Sequence, residues 1–156
     1  MSSAKNWQII RFADVLLWKA EALIELGRQD EALPLINRIR ARAATSTGLL
    51  VSADGKPTAN FRVKPYVKGS DWTQSYARMA MRWERRLEFA GEGYHFFDLV
   101  RWGVAAETIN AYFQIEKTRA THLGDAKFTA GRDEYLPIPL NQINFSSGLY
   151  KQNAGW

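Results

Sequence analysis

Residues 7–43 read WQIIRFADVLLWKAEALIELGRQDEALPLINRIRARA, and the spacing of their apolar side chains decides the fold. Over 7–26, Phe12, Leu16, Ala20 and Leu23 recur at steps of three or four, with Ile9, Ile10, Val15, Leu17 and Ile24 on a second side. That period is helical, and a stripe this wide needs partners on more than one side. Gly27 suits the residue just past the helix end, where a left-handed backbone is wanted. Asp30 is the expected N-cap of a second helix over 31–43, with Ala32, Leu35, Ile36 and Ile39 on its inner face. Pro34 falls late in its first turn, where a missing N–H costs little. The short turn between the two makes them an antiparallel pair. Leu16, Leu23, Ala20, Ala32 and Ile36 stand at the large and small positions of a tetratricopeptide repeat, with Ala44 in place of its closing proline. The sequence offers no convincing second copy. One such pair cannot bury its own faces, so either other helices of the chain cover it or the chain is a fragment of a larger solenoid.

Residues 44–70 are rich in Gly, Ser, Thr and Pro. Asp54-Gly55 signals a turn, and Phe61, Val63 and Val67 alternate with polar residues, so the expectation is a loop with a short β-hairpin near 49–67. A third helix is expected from Asp71, with Asp71 and Gln74 as a capping box. Trp72, Tyr76, Met79, Trp83, Leu87 and Ala90 give it the strongest helical stripe of the chain. Gly91 and Gly93 break it. A short helix to Trp102, another over 104–115, a polar loop over 116–134 and one helical turn after Leu140 follow. The fold class is all-α, with 1–156 as a single domain.

Composition narrows the chemistry. The 156 residues are 46% hydrophobic and 24% charged, ordinary for a globular domain. There is no Cys, which excludes disulfides, thiolate nucleophiles and thiolate-bound zinc. No apolar run is long enough to span a membrane. The start, MSSAKNW, lacks an apolar signal-peptide core. The net charge of +5 permits an anionic partner without requiring one.

The densest chemistry lies in ERRLEFAGEGYHFFDLVRWG, residues 84–103. Glu92-Gly-Tyr-His95 matches the Glu-x-x-His pattern of di-iron bundles, but those sites need a second copy and two further Glu, and glycines flank this one. Glu84 and Glu88 can share a helix face, as a glycosidase pair would. Arginines lie within reach of both, and an arginine-paired carboxylate stays ionised and makes a poor general acid. Arg78, Arg82, Arg85 and Arg86 alternate with Trp72, Tyr76 and Trp83, a pattern compatible with single-stranded nucleic acid, yet the aromatics hold the apolar face. His122 is isolated, and Ser146 and Ser147 have no histidine at a suggestive spacing. No GxxxxGK[ST] phosphate loop is present. The residues themselves therefore read as an Arg/Glu/Asp network around an aromatic core, with no catalytic or metal-binding set, no cofactor and no nucleic-acid partner.

Four stretches resemble the C-terminal part of SusD/RagB-family outer-membrane nutrient-binding proteins. RFADVLLWKAEA (11–22) with INRIRARA (36–43) is similar to the family's repeat pair. WERRLEFAGEGYHFFDLVRWG (83–103) is similar to its most distinctive block, and YLPIPLNQI (135–143) with QNAGW (152–156) to its closing segment. The resemblance implies an all-α, tetratricopeptide-like fold and a non-enzymatic role in binding oligosaccharide or another nutrient. It implies a cell-surface outer-membrane lipoprotein acting with a TonB-dependent transporter of the SusC type. The signal peptide and lipidated Cys of that family are not in this sequence, and a piece of this kind would tend to self-associate through exposed apolar faces. Arg11, Glu21, Arg40, Glu84, Arg85, Glu88, Asp98 and Arg101 fall in the matching blocks and read as structural. Glu84, Arg86 and Arg101 are expected to tie the third helix to the short one. Phe61, Tyr66 and Trp72 are the candidates for glycan contact, with packing against the helices as the alternative for each. A stand-alone helical protein–protein interaction module is the competing function.

Overall fold

Helix α1 (Phe12–Glu25) and helix α2 (Gln29–Ser46) form the antiparallel pair that the apolar spacing implied. The computed structural model describes residues 8–58 and 62–156. These contain six α-helices, adding α3 (Gln74–Glu88), α4 (Tyr94–Arg101), α5 (Ala105–Glu116) and α6 (Leu140–Phe145). The chain divides into two compact units, Met1–Glu92 and Gly93–Trp156.

In the first unit, α1 ends in a Schellman turn. Gly27, at φ 74°, donates to the Ile24 carbonyl at 3.0 Å, and Arg28 donates to Leu23 at 2.8 Å. The repeat positions Leu16, Ala20, Leu23, Ala32 and Ile36 are all buried, with Leu17, Ile24 and Ile39 beside them. Fully burying an aliphatic side chain of this size contributes about 1.5–3 kcal/mol. Helix α3 closes the unit against both with Ala77, Ala80 and Met81. It runs antiparallel to α1, because Arg78 at its start meets Glu25 at the end of α1 and Glu88 at its end meets Arg11.

Helix α3 is therefore parallel to α2, and the connection between them must travel back along the length of α2. Its 18 residues span about 27 Å at 1.5 Å per residue. The chain makes that return as an extended strap. Arg40 Nε donates to the Lys64 carbonyl at 2.6 Å. Asn37 exchanges two bonds with the Tyr66 backbone, each 2.8 Å. Lys68 Nζ lies 2.6 Å from Asp30 Oδ2. Residues 40, 37 and 30 thus meet 64, 66 and 68 in descending order.

Several expectations are corrected. The hairpin near 49–67 reduces to one bridge, Val51 with Pro57, and no strand forms among the described residues. The backbone at Lys64 and Tyr66 is served by α2 side chains, which leaves it no need of a partner strand. Asp30 lies inside the first turn of α2, which begins at Gln29. Thr73, not Asp71, caps α3, its hydroxyl accepting from the Tyr76 N–H at 3.2 Å. Phe12 and Val15 of the expected α1 stripe are exposed. On α3 the inversion is larger. Tyr76, Met79, Trp83 and Leu87 face outward, while Glu84 and Arg85 are buried.

In the second unit, Leu99, Ala105 and Phe128 form the core, with Phe96, Trp102, Ile109 and Phe113 packed around them. Gly103, at φ 70°, repeats the Schellman turn after α4. Asn110 holds the Phe128 backbone with bonds of 2.9 and 2.8 Å, and Gln152 holds Ile138 in the same way at 2.9 and 2.8 Å. The Trp156 indole donates to the Arg132 and Tyr135 carbonyls, with the Arg132 guanidinium 4.9 Å from its ring centre.

The strap yields a direct test. Asn37→Ala removes both bonds to Tyr66 and is expected to cost about 1–3 kcal/mol, read as a lower thermal midpoint. Asn37→Asp keeps the acceptor but sets a carboxylate oxygen against the Tyr66 carbonyl, and its midpoint is expected to fall at least as far as that of Asn37→Ala.

Candidate functional site

Glu84, Arg85 and Glu88 of the arginine-rich block line a seam that joins α3 to α1 and α2. Arg85 is 2% exposed, and its Nη1 lies 3.5 Å from Oδ1 of Asp14, which is itself 1% exposed. The other Asp14 oxygen accepts from the Arg11 backbone N–H at 3.2 Å, so one carboxylate both holds the start of α1 and faces α3. The Arg85 guanidinium also lies 5.0 Å from the Phe89 ring centre and 5.9 Å from that of Trp18. Glu84 turns to α2, where Arg40 Nη1 donates to it at 2.7 Å. Glu88 is shared: Oε1 accepts from Arg11 at 2.7 Å, and Oε2 accepts from Arg42. Arg11 also grips Glu92 with two bonds of 3.0 and 2.7 Å. Its hydrogen bonds to Glu92 raise the Arg11 pKa despite the opposing effect of desolvation, with Glu88 adding to the rise. At the far end, hydrogen bonding to Arg78 lowers the Glu25 pKa.

The remaining network residues have separate places. Arg86 lies over the Trp83 ring at 5.1 Å. Asp98 is buried in α4, and Arg101, one turn later, donates to it at 2.9 Å. Glu84 thus pairs with α2, and Arg86 rests on a ring of its own helix. Asp14 was missed by sequence reasoning. A visible signal existed: Arg11 and Asp14 are three apart with opposite charge, and Glu88 and Arg85 repeat that order in reverse, as antiparallel helices require.

The aromatic candidates sit at one end of the strap. Trp72 is 5% exposed and donates its indole N–H to the Gln29 carbonyl at 3.0 Å. Tyr66 lies 5.7 Å from Trp72 and 6.2 Å from Tyr76, centre to centre, under the Arg40 guanidinium at 4.3 Å. Burial raises the Tyr66 pKa. Phe61 lies outside the described residues. Tyr76, which completes the aromatic trio, is exposed.

A groove of about 420 Å³ opens at the N-terminal end of α1. Phe12, Ala13, Leu16 and Ile39 give it an apolar floor, and Arg11, Arg38, Arg42 and Glu88 rim it. Elsewhere, no group of three or more His, Asp and Glu among the described residues is placed to hold a metal ion. No helix among them is long and apolar enough to cross a membrane.

Comparison with known proteins places these features. The SusD family matches residues 1–156. SusD-like protein P38 of Formosa agariphila is 39% identical over 104 residues, covering 67% of this chain and 18% of its own length. SusD-like protein P25 of the same organism is 30% identical over 150 residues, 96% of this chain and 24% of its own. A crystal structure of a SusD homolog from Bacteroides thetaiotaomicron superposes with a TM-score of 0.72 at 30% identity, over 96% of this chain and 27% of that one. The chain therefore spans about a quarter or less of the length of these relatives.

The seam also makes a prediction. Arg85→Met leaves Asp14 buried without its cation and is expected to cost about 3–5 kcal/mol in denaturant unfolding. Adding Asp14→Leu to that variant removes the stranded charge and is expected to recover most of the loss. A double variant as unstable as the single would assign the cost to packing.

Proposed function

The chain belongs to the SusD family, and from that membership we propose that it is part of a non-enzymatic component that binds oligosaccharide and serves its uptake. The observation that carries this reading is the family match over all 156 residues. In the full protein the partner is a TonB-dependent transporter of the SusC type, and the place of action is the cell-surface face of the outer membrane. The ligand is an oligosaccharide or a comparable nutrient.

The geometry supports binding over catalysis. A glycosidase needs one carboxyl that can hold a proton. Glu84 and Glu88, the pair suited by spacing, are each held by arginine at 2.7 Å. Both carboxylates are thereby engaged in holding α3 to its neighbours. The outward aromatics Tyr76 and Trp83, 38% and 49% exposed, supply ring faces of the kind that stack on sugars.

The interaction-module reading draws on the same outward face of α3. Met79, Trp83 and Leu87 are 48%, 49% and 62% exposed, an apolar stripe that also suits a partner helix.

Affinity electrophoresis through gels cast with a panel of polysaccharides separates the two. The uptake reading expects retardation by at least one polysaccharide and no release of reducing ends from any. Capture of a peptide partner without retardation by any glycan would transfer the assignment to the interaction module. Reducing ends released by the wild type and lost in Glu88→Gln would make the protein a hydrolase.

A further inference from the structure

The groove at the start of α1 has more cation than its own carboxylates use. Three guanidiniums, Arg11, Arg38 and Arg42, rim it beside Glu88. Arg11 is committed to Glu88 and Glu92. Arg42 commits its Nη2 to Glu88, and its side chain is 59% exposed. Arg38 is exposed, lies 5.1 Å over the Phe12 ring and has no carboxylate partner among the described residues. Three cations against Glu88 and Glu92 leave the rim positive. The unspent N–H groups of Arg38 and Arg42 belong to neighbouring turns of α2, on residues 38 and 42, which share one helix face.

We propose that this groove binds the acidic group of a charged sugar, a carboxylate or a sulfate ester, between Arg38 and Arg42, with the sugar ring over Phe12. The proposal rests on the glycan-binding reading and names the ligand class. The planar guanidinium fork matches the two oxygens of such a group, and the bond is charge-assisted. A neutral sugar would leave the surplus charge unanswered. The apolar floor of Phe12, Ala13, Leu16 and Ile39 offers the C–H face of a sugar its complement, and Phe12 is 61% exposed. At about 420 Å³ the groove is within the ordinary range for small-ligand sites, about 300–1,000 Å³. Part of the rim is also anchored. Glu88 of α3, with its side chain 6% exposed, anchors Arg42 of α2 and Arg11 at the N-cap of α1, so part of the ordering cost is met before a ligand arrives. A nucleic-acid strand would need cations along a track with rings between them. The groove concentrates its free donors at one point.

Isothermal titration tests this with four probes: an oligogalacturonate for the carboxylate, a carrageenan oligosaccharide for the sulfate, cellohexaose as the neutral sugar, and a thymidine hexanucleotide as a plain polyanion. Each is titrated into wild type, Arg38→Gln and Phe12→Leu. These two residues lie outside the buried seam, so the thermal midpoints are expected to stay at the wild-type value. The proposal expects one acidic oligosaccharide to bind, about tenfold weaker in Arg38→Gln and weaker in Phe12→Leu. It expects that affinity to fall as NaCl rises from about 50 to about 500 mM. Equal affinity in wild type and Arg38→Gln would overturn it, as would binding of the hexanucleotide as tight as that of the acidic sugar. Cellohexaose bound without any acidic sugar would overturn this proposal and leave the glycan-binding reading standing. Failure of every saccharide to bind would count against both.

Discussion

The buried contact between Arg85 and Asp14 governs how α3 sits, and much else follows from it. A guanidinium 2% exposed and a carboxylate 1% exposed carry a desolvation cost that attraction between them offsets only when both are in place. The flanking pairs share the burden. Arg40 meets Glu84, Arg11 and Arg42 meet Glu88, and Arg78 meets Glu25. A hydrophobic seam could slide by a turn and still bury oil. A seam whose charges alternate in sign cannot, because a one-turn slip would set like charges together. The pairing thus gives α3 its direction and register, with Ala77 and Ala80 allowing close approach and Met81 filling the space between. Having turned its charged face inward, α3 presents Met79, Trp83 and Leu87 to solvent.

A second device holds the irregular parts. Extended backbone beside a helix has polar groups that no strand will satisfy. Here carboxamide side chains do the work of a neighbouring strand. Asn37 pairs with Tyr66, Asn110 with Phe128 and Gln152 with Ile138, each giving one donor and one acceptor to the same residue. Asn and Gln are the side chains that can offer both at a fixed separation. This is how an all-helical chain carries long connections without a sheet.

The legible part of the fold was the part governed by local rules. Periodicity located α1 and α2, and glycines with positive φ marked the ends of α1 and α4, because those signals act within a few residues. The inner face of α3 was not legible that way. Its stripe at 76, 79, 83 and 87 is a good apolar stripe, and the rule that apolar residues face the core selected it. The buried residues Ala77, Ala80, Met81, Glu84 and Arg85 form an equally regular stripe on another side of the same helix. Choosing between them required knowing that Asp14, Arg11 and Arg40 would be waiting, which is tertiary information. The same holds for the candidate site. Tyr66 and Trp72 were found as aromatics in an irregular segment, but that Trp72 would be covered depended on the strap. The groove rimmed by Arg38 joins two helices and the end of a third, and no single stretch of sequence announces it.

The charge arrangement bears on function through what it leaves over. Proton-transfer catalysis needs a carboxyl or imidazole with latitude to change protonation at working pH. In the seam the acids are engaged by guanidiniums, Glu84 by one and Glu88 by two. The chain holds 21 Lys and Arg against 16 Asp and Glu, so cations outnumber acids. At the groove, exposed Arg38 stands beside an exposed ring and an apolar floor. Donors placed beside an apolar floor in this way suit the holding of an anion. The ion pairs that orient α3 thus also decide which guanidinium groups are left over at the groove.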